Sequence, residues 1–320
     1  MSAGTSARVA VFGDGVVGRR LVKLVEAPAD RSVVELDTRR DAVSSTPFLD
    51  GVRLAVLAHP APHHAETIEL LDRGIGVISI GDQVRDVAAI IDEADRADRA
   101  GVPLVVGAGM SPGLVGLIAR HLATQLEEVD EIHVAIHGTA GPACARQHHR
   151  ALAGDAAAFD DGSFTSYRAG TGRELAWFPE PVGAYDCYRA EMPGPAVLHR
   201  VFPGACRITA RMSANRRDRF TSRLPMLTPP HGEGGVGAVR VELRGAGASG
   251  GRVSLIAGIA EMVGTAAAAT ASAFVDAALG GSLPSGLVIP GDDRLDTTSL
   301  LRTIERFGVR LQEFTGIPSG

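Results

Sequence analysis

Lysine is almost missing from this chain: of its 320 residues only Lys23 is a lysine, and the remaining basic side chains are arginines. Arginine does not release its proton near neutral pH, so it cannot stand in for a catalytic amine. A Schiff-base lysine, a Tyr-xxx-Lys pair and a general-acid lysine therefore have essentially no candidate. Cysteine is nearly as scarce. Cys144, Cys187 and Cys206 are widely spaced and odd in number, which fits neither a disulfide framework nor a zinc site, so a reducing cytoplasm is the expected setting. Excess positive charge is lacking too. The net charge is −5, and a nucleic-acid partner would call for a basic face. No run approaches the roughly 18 unbroken apolar residues of a membrane span. The opening Met1–Arg8 is short and polar, so no export signal is expected.

What is present is an ordinary core-forming composition, 45% hydrophobic. The length exceeds what one core usually reaches, about 250–300 residues, so two domains are expected. The first third alternates strand and helix. Strands are expected at 8–12, 32–37, 52–58, 76–80 and 102–106. Helices are expected at 16–26, at 64–73 closed by Gly74, and over 82–100 as one long amphipathic element. Helices of this length between buried strands are what parallel βαβ crossovers require, so the fold class read here is α/β, a doubly wound parallel sheet. After about residue 125 the texture changes. In 129–136, Glu131 and His133 face one way while Ile132 and Val134 face the other. Segments 163–167, 205–212 and 238–243 read as antiparallel strands, 265–279 as an alanine-rich helix, 296–307 as a last helix and 309–313 as a final strand.

Gly13-Asp14-Gly15-Val16-Val17-Gly18 lies between the first strand and the first helix. Gly13 permits a tight turn, Gly15 lets backbone approach a pyrophosphate, and Gly18 lets the helix pack close to the sheet. Free amides at the start of the helix then favour negative charge. This is the signature of a Rossmann domain that binds NAD or NADP. Asp37, ending the second strand, is placed to accept the adenosine ribose hydroxyls, with Thr38 beside it. Arg39 and Arg40 follow and are able to take a 2′-phosphate instead. A carboxylate about 4 Å from a phosphate costs roughly 4 kcal/mol at an effective dielectric near 20, and an arginine at that distance offsets about as much. Both cofactors stay open, with Asp37 on the rigid strand end favouring NAD.

Two further runs leave strand ends, where open α/β sheets place ligands. In Ala58-His59-Pro60-Ala61-Pro62-His63-His64, His59 and Pro60 are candidates for cofactor contact, His59 also for catalysis, and His63 and His64 read as the start of a helix. Three histidines without a Cys, Asp or Glu at ligand spacing do not make a metal site, and none is expected. In Gly107-Ala108-Gly109-Met110-Ser111-Pro112-Gly113-Leu114, Ser111 reads as a helix N-cap and Pro112 as the first helical residue, and Ser111 is also a catalytic candidate. The bare glycines, Gly109 among them, suit close approach of a nicotinamide ring, with Gly81 nearby. In the second domain His148 and His149 are candidate proton donors, and Arg146 and Arg150 candidate carboxylate binders, against the plainer reading of a polar helix surface. Cys187 reads as a small buried residue.

The glycine turn at 13–18, the helix from Asp82, and Ala100-Gly101-Val102-Pro103 leading to Gly109-Met110-Ser111-Pro112-Gly113-Leu114 together resemble the saccharopine dehydrogenase-like family, of the saccharopine reductase type. That resemblance implies a Rossmann domain (1–125), an α+β substrate and dimerisation domain (126–284), and a C-terminal segment returning to the first domain (285–320). It also implies a homodimer and hydride transfer at a carbon–nitrogen bond of an amino acid, imine or oxo-acid-derived substrate. Ser111 stands where saccharopine-acting members commonly carry an aspartate. A hydroxyl can orient a substrate but does not exchange its proton near pH 7 as a carboxylate does, which points away from saccharopine itself. Two alternatives are a non-catalytic NAD(P)-binding partner subunit and an enzyme of the glucose–fructose oxidoreductase type. The latter typically carries a Glu-Lys-Pro lysine where this chain has Ile80-Gly81-Asp82.

Overall fold

A computed structural model describes residues 7–36, 47–226 and 232–314. The chain begins β1 (Ala7–Phe12), α1 (Val16–Glu26), β2 (Arg31–Leu36), β3 (Val52–Leu57), α2 (His64–Asp72), β4 (Gly76–Ser79), α3 (Val84–Ile91), α4 (Ala94–Ala100) and β5 (Pro103–Val106). It continues α5 (Val115–Ala123), β6 (Glu128–His137), α6 (Pro142–Ala151), β7 (Asp155–Asp160), β8 (Ser163–Arg168), β9 (Glu174–Phe178), β10 (Gly183–Arg189) and α7 (Gly194–Val201). The rest is β11 (Arg207–Ser213), α8 (Arg216–Thr221), β12 (Val236–Ala246), β13 (Arg252–Met262), α9 (Val263–Leu279), β14 (Gly286–Val288), α10 (Thr297–Arg306) and β15 (Gln312–Glu313).

Two compact units result, 1–114 with 264–308 and 115–263 with 309–320. In the first, six parallel strands run in the order β14-β5-β4-β3-β1-β2. Strand order reverses at β1, so the ends of β1 and β3 open the crevice where such sheets take ligands. The core strands are fully buried, as in Val9–Phe12 and Leu54–Leu57, because helices cover both faces of a parallel sheet. Helix α1 turns Leu21, Val22 and Val25 inward at the spacing its sequence predicts.

Three expectations need correction. The single helix over 82–100 is two, α3 and α4. The Glu93 carboxylate accepts from Arg96 (2.7 Å) and faces His64 Nε2 (3.0 Å), fixing the start of α4 beside the start of α2. Both helices bury one face (Val87, Ile90, Ala97), so apolar periodicity runs through the break. Strand β11 is antiparallel to β10 and β7, as expected, but parallel to β6, with Arg207 opposite Glu131 and Met212 opposite Ile136; alternation gives a strand's faces but not the direction of each neighbour. The division between units also falls elsewhere than 125 and 284. Alanine-rich α9, from Gly264 onward, lies in the first unit, where an added Cβ on Gly264 would meet Val16 Cγ1 at 2.7 Å and Asp276 pairs with Arg31 at 2.5 Å. The three-residue strand β14 was not expected.

The second unit holds a mixed sheet, β15-β13-β12-β6-β11-β10-β9, with β7 pairing β11 and β8. One face carries Ile132, Val134, Ile208, Ala210, Val241 and Leu243, all buried, against which α5 and α7 pack. Register puts Glu131, His133, Arg207, Thr209, Arg211, Glu242 and Arg244 on the other face, the division that alternation in β6 predicts.

Candidate dinucleotide site

The crevice is built from backbone. The Gly13 amide donates to Leu36 O at 3.0 Å, and its φ of +129° is open to glycine but strained for any other residue. A Cβ there would lie 2.8 Å from Ala58 and the His59 nitrogen, and one on Gly18 would lie 1.9 Å from Gly13 O. Gly15 is different: it caps α1 in extended conformation with no side-chain bond, and a Cβ added to it would meet nothing within 4 Å. The first helical bond runs from Arg19 N to Gly15 O. The amides of Val16, Val17 and Gly18 precede it and lack helical acceptors, and no acidic residue occupies that first turn. Exposed Asp14 contributes its carbonyl to Arg19 Nη1 (2.8 Å). The turn thus fits a pyrophosphate: two glycines are locked by close packing and the third faces open space beside unpaired amides. Asp37, Thr38, Arg39 and Arg40 lie outside the described residues.

Backbone bonds carry the crevice across the sheet. Ala58 N donates to Phe12 O, Ile80 N to Leu57 O and Ala108 N to Ser79 O, so the loops after β1, β3, β4 and β5 form one row. His59 is mostly buried, its Nε2 2.7 Å from Glu66 Oε2 and its Nδ1 2.9 Å from Pro60 O. Neither ring nitrogen is left over for a reacting group in this arrangement. His63, fully buried, is the fastening of the row. Its Nε2–H donates to His59 O (2.9 Å), so Nδ1 accepts from the Ser79 hydroxyl (2.8 Å), whose oxygen in turn accepts from Gly81 N (3.2 Å). Burial, reinforced by neighbouring His59, lowers the His63 pKa to about 4, which keeps the ring neutral. The carboxylate of buried Asp86 accepts from the backbone amides of His63 and His64 (2.9 and 3.0 Å) and so caps α2 from α3.

At the β5 end, Gly107 has φ +73°, and a Cβ on it would be 2.6 Å from Pro112 Cγ. A Cβ on Gly113 would lie 2.6 Å from Gly107 O, and one on Gly109 3.2 Å from Ile80 O, a tight but looser fit. Ser111 is extended (φ −136°, ψ 130°) in a kinked turn at Met110–Leu114 that precedes α5. Its hydroxyl is half-buried beside this bare backbone.

The second-unit candidates sit on α6 but do not form one group. His149 turns inward to Thr221 Oγ1 (3.0 Å), and His148 Nε2 faces Cys144 Sγ (3.7 Å). Arg146 and Arg150 point to solvent. Cys187 is buried, and burial pushes its thiol up to about 12, as a packing residue requires. Sequence reasoning missed Ser79 and Asp86, and took His63 for a plain helix start. The only signal was an acidic residue in the first turn of α3.

No family model matches the chain, and no curated protein matches it. Solved structures do. Apo saccharopine dehydrogenase (L-Glu forming) from Saccharomyces cerevisiae superposes with a TM-score of 0.70 at 11% identity, covering 97% of this chain and 100% of that one. The DAP dehydrogenase of C. glutamicum in complex with DAP gives 0.54 at 16% identity, covering 92% and 96%. An engineered D-amino acid dehydrogenase bound to NADP+ gives 0.53 at 16%, again covering 92% and 96%. The shared property at this identity is the fold: a Rossmann-type parallel sheet joined to a second, mixed-sheet unit. The fold likeness to saccharopine dehydrogenase extends over nearly the whole chain. Among the described residues no helix is long and apolar enough to cross a membrane.

Proposed function

We propose that this chain is an NAD(P)-dependent oxidoreductase that transfers hydride at a carbon–nitrogen bond of an amino acid, imine or oxo-acid-derived substrate. The observation that carries this reading is the cradle, where Gly13 and Gly18 have no room for a side chain and Gly15 faces open space at the start of α1. Solved dehydrogenases sharing the fold, one of them bound to NADP+, support it. A bound nicotinamide would supply or accept the hydride. In this reading Gly13, Asp14, Gly15, Val16, Val17 and Gly18 hold the pyrophosphate by backbone amides. Asp37, Thr38 and Arg39 take the adenosine ribose, with Asp37 favouring NAD. His59, Pro60, Gly81 and Gly109 wall the nicotinamide side, His59 by its backbone and packed ring. Ser111 orients the substrate. His148 or His149 as proton donor and Arg146 and Arg150 as carboxylate binders belong to the same proposal, although on α6 the four do not form one group. A homodimer and a cytoplasmic setting accompany this reading.

The test is a thermal-shift comparison of NADH and NADPH, followed by deuterium transfer from the labelled cofactor to a panel of oxo acids and amines. A ligand at 100 times its Kd adds about 2.7 kcal/mol. No shift with either nucleotide refutes the reading. The tethered His59 nitrogens favour one second reading, a non-catalytic NAD(P)-binding subunit. Cofactor binding without deuterium transfer to any substrate would select it.

A further inference from the structure

The polar face of the second unit's sheet holds an open cleft of about 350 Å³. Arg189, Arg207, Arg211 and Arg244 line it, against the carboxylates of Asp160 and Glu174. Register sets Arg189 directly opposite Arg211 on neighbouring antiparallel strands, and like charges so placed destabilise a sheet unless something answers them. Arg211 is answered by Glu174 at 3.0 Å, Arg207 by Asp160 at 2.8 Å, and Arg244 by Glu242 and Glu131 at 2.7 and 3.2 Å. Arg189 has no carboxylate partner among the described residues; its guanidinium lies over the Tyr167 ring, 4.0 Å from the centroid. Four guanidinium groups against two carboxylates leave two positive charges in excess. Glu131 and Glu242 flank the cleft with Arg240 and Arg252 paired to them, and Asp161 acts on Arg207 from the turn after β7.

We infer that this cleft binds a small dicarboxylate. Two surplus charges match two carboxylates, and a guanidinium presents a planar fork to a planar carboxylate. Stacking on Tyr167 holds the Arg189 plane in place, so little rotamer freedom is lost when an anion arrives. Glu174, whose side chain is 53% exposed, is the partner an incoming carboxylate can displace from Arg211. The cleft has room for two carboxylates joined by a short carbon chain, whether that molecule arrives as substrate or as regulator. The site lies wholly within the second unit and does not depend on the dinucleotide reading.

The experiment is isothermal titration calorimetry of the full chain with glutarate, without nicotinamide cofactor, and with inorganic phosphate and acetate as comparison arms. Glutarate is expected to bind saturably and more tightly than either. Arg189→Gln should weaken it about tenfold or more, the cost of one charge-assisted contact, while the ligand-free protein still unfolds cooperatively. Arg53→Gln, exposed on the first unit, should bind as the parent does. Repeating the titration with saturating cofactor separates the sources: a substrate tightens with it, a regulator does not need it. Absence of saturable glutarate heat, phosphate binding as tightly as glutarate, or undiminished binding by Arg189→Gln overturns the inference.

Discussion

Asp86 and His63 are 23 residues apart in sequence, yet both carboxylate oxygens of Asp86 lie 2.9 Å from the His63 amide nitrogen. One oxygen also accepts from His64 N at 3.0 Å. A helix start that has no side-chain cap of its own is therefore capped from the neighbouring helix. The same residue, His63, reaches with its ring to the loop after β3 and to the last residue of β4.

Removing the Asp86 carboxylate leaves the buried amide of His63 and the part-buried amide of His64 without an acceptor. Asp86→Ala is expected to cost about 2–3 kcal/mol, in the range of buried hydrogen bonds to a charged group. Asp86→Asn, which keeps one oxygen, should cost about 1 kcal/mol. Urea unfolding of the two variants checks the order, and equal stability of Asp86→Ala and the parent would show that the cap is not needed.

The lowered pKa of His63 makes stability depend on acid. Its folded value, about 4, lies below the ordinary 6.5, so as pH falls the unfolded chain takes up the proton first. The contribution is complete above about pH 6.5 and is lost as pH drops toward 4, to the extent of about 3 kcal/mol. His137, lowered by burial, works in the same direction, so the measurement is a difference. His63→Gln should lose less stability between pH 7 and pH 5 than the parent does. Parallel pH curves for the two proteins would refute the assignment.

Much of the cradle is legible in the sequence. Gly13, Gly15 and Gly18 are local features whose meaning depends on the strand before and the helix after, and α1 spans Val16–Glu26 as its periodicity indicates. The polar face of β6 was legible in the same way, since alternation of Glu131 and His133 with Ile132 and Val134 is a property of one strand. What stayed hidden depends on pairing. Nothing near Asp86 signals that its carboxylate crosses to α2. Nothing in β10 or β11 alone signals that Arg189 faces Arg211, because register between strands is set by the intervening chain. The α6 candidates show the converse limit: neighbours in sequence, His149 and Arg150, point a quarter-turn apart on a helix, one inward and one to solvent.

Thiol chemistry should separate the three free cysteines. Cys206 is exposed, Cys144 half-buried and Cys187 buried with its thiol pushed up to about 12 by burial. Thiolate, not thiol, attacks an alkylating agent. In the native protein at pH 8, iodoacetamide is expected to modify Cys206 first and to leave Cys187 untouched until denaturant is added. Peptide mapping by mass spectrometry reads this directly, and early labelling of Cys187 would contradict its packing against Ala135, Ala176 and Phe178.

The glycine turn offers the sharpest separation of folding from binding. At Gly18 an added methyl would lie 1.9 Å from Gly13 O, so the helix must move off the turn. Gly18→Ala is expected to destabilise by about 1–3 kcal/mol, the usual cost of forcing a group into packed space. At Gly15 the backbone is already extended (φ −75°, ψ −171°) and nothing lies within 4 Å of the new methyl. Gly15→Ala should therefore fold with stability within about 0.5 kcal/mol of the parent. The methyl nevertheless projects into the space a pyrophosphate needs, so affinity for the preferred pyridine nucleotide should fall at least about tenfold, a change of roughly 1.4 kcal/mol. Calorimetric titration and chemical denaturation of the same two variants give both quantities. A Gly15→Ala protein that is stable and binds nucleotide as the parent does would mean that the open space beside α1 is not where the phosphates go.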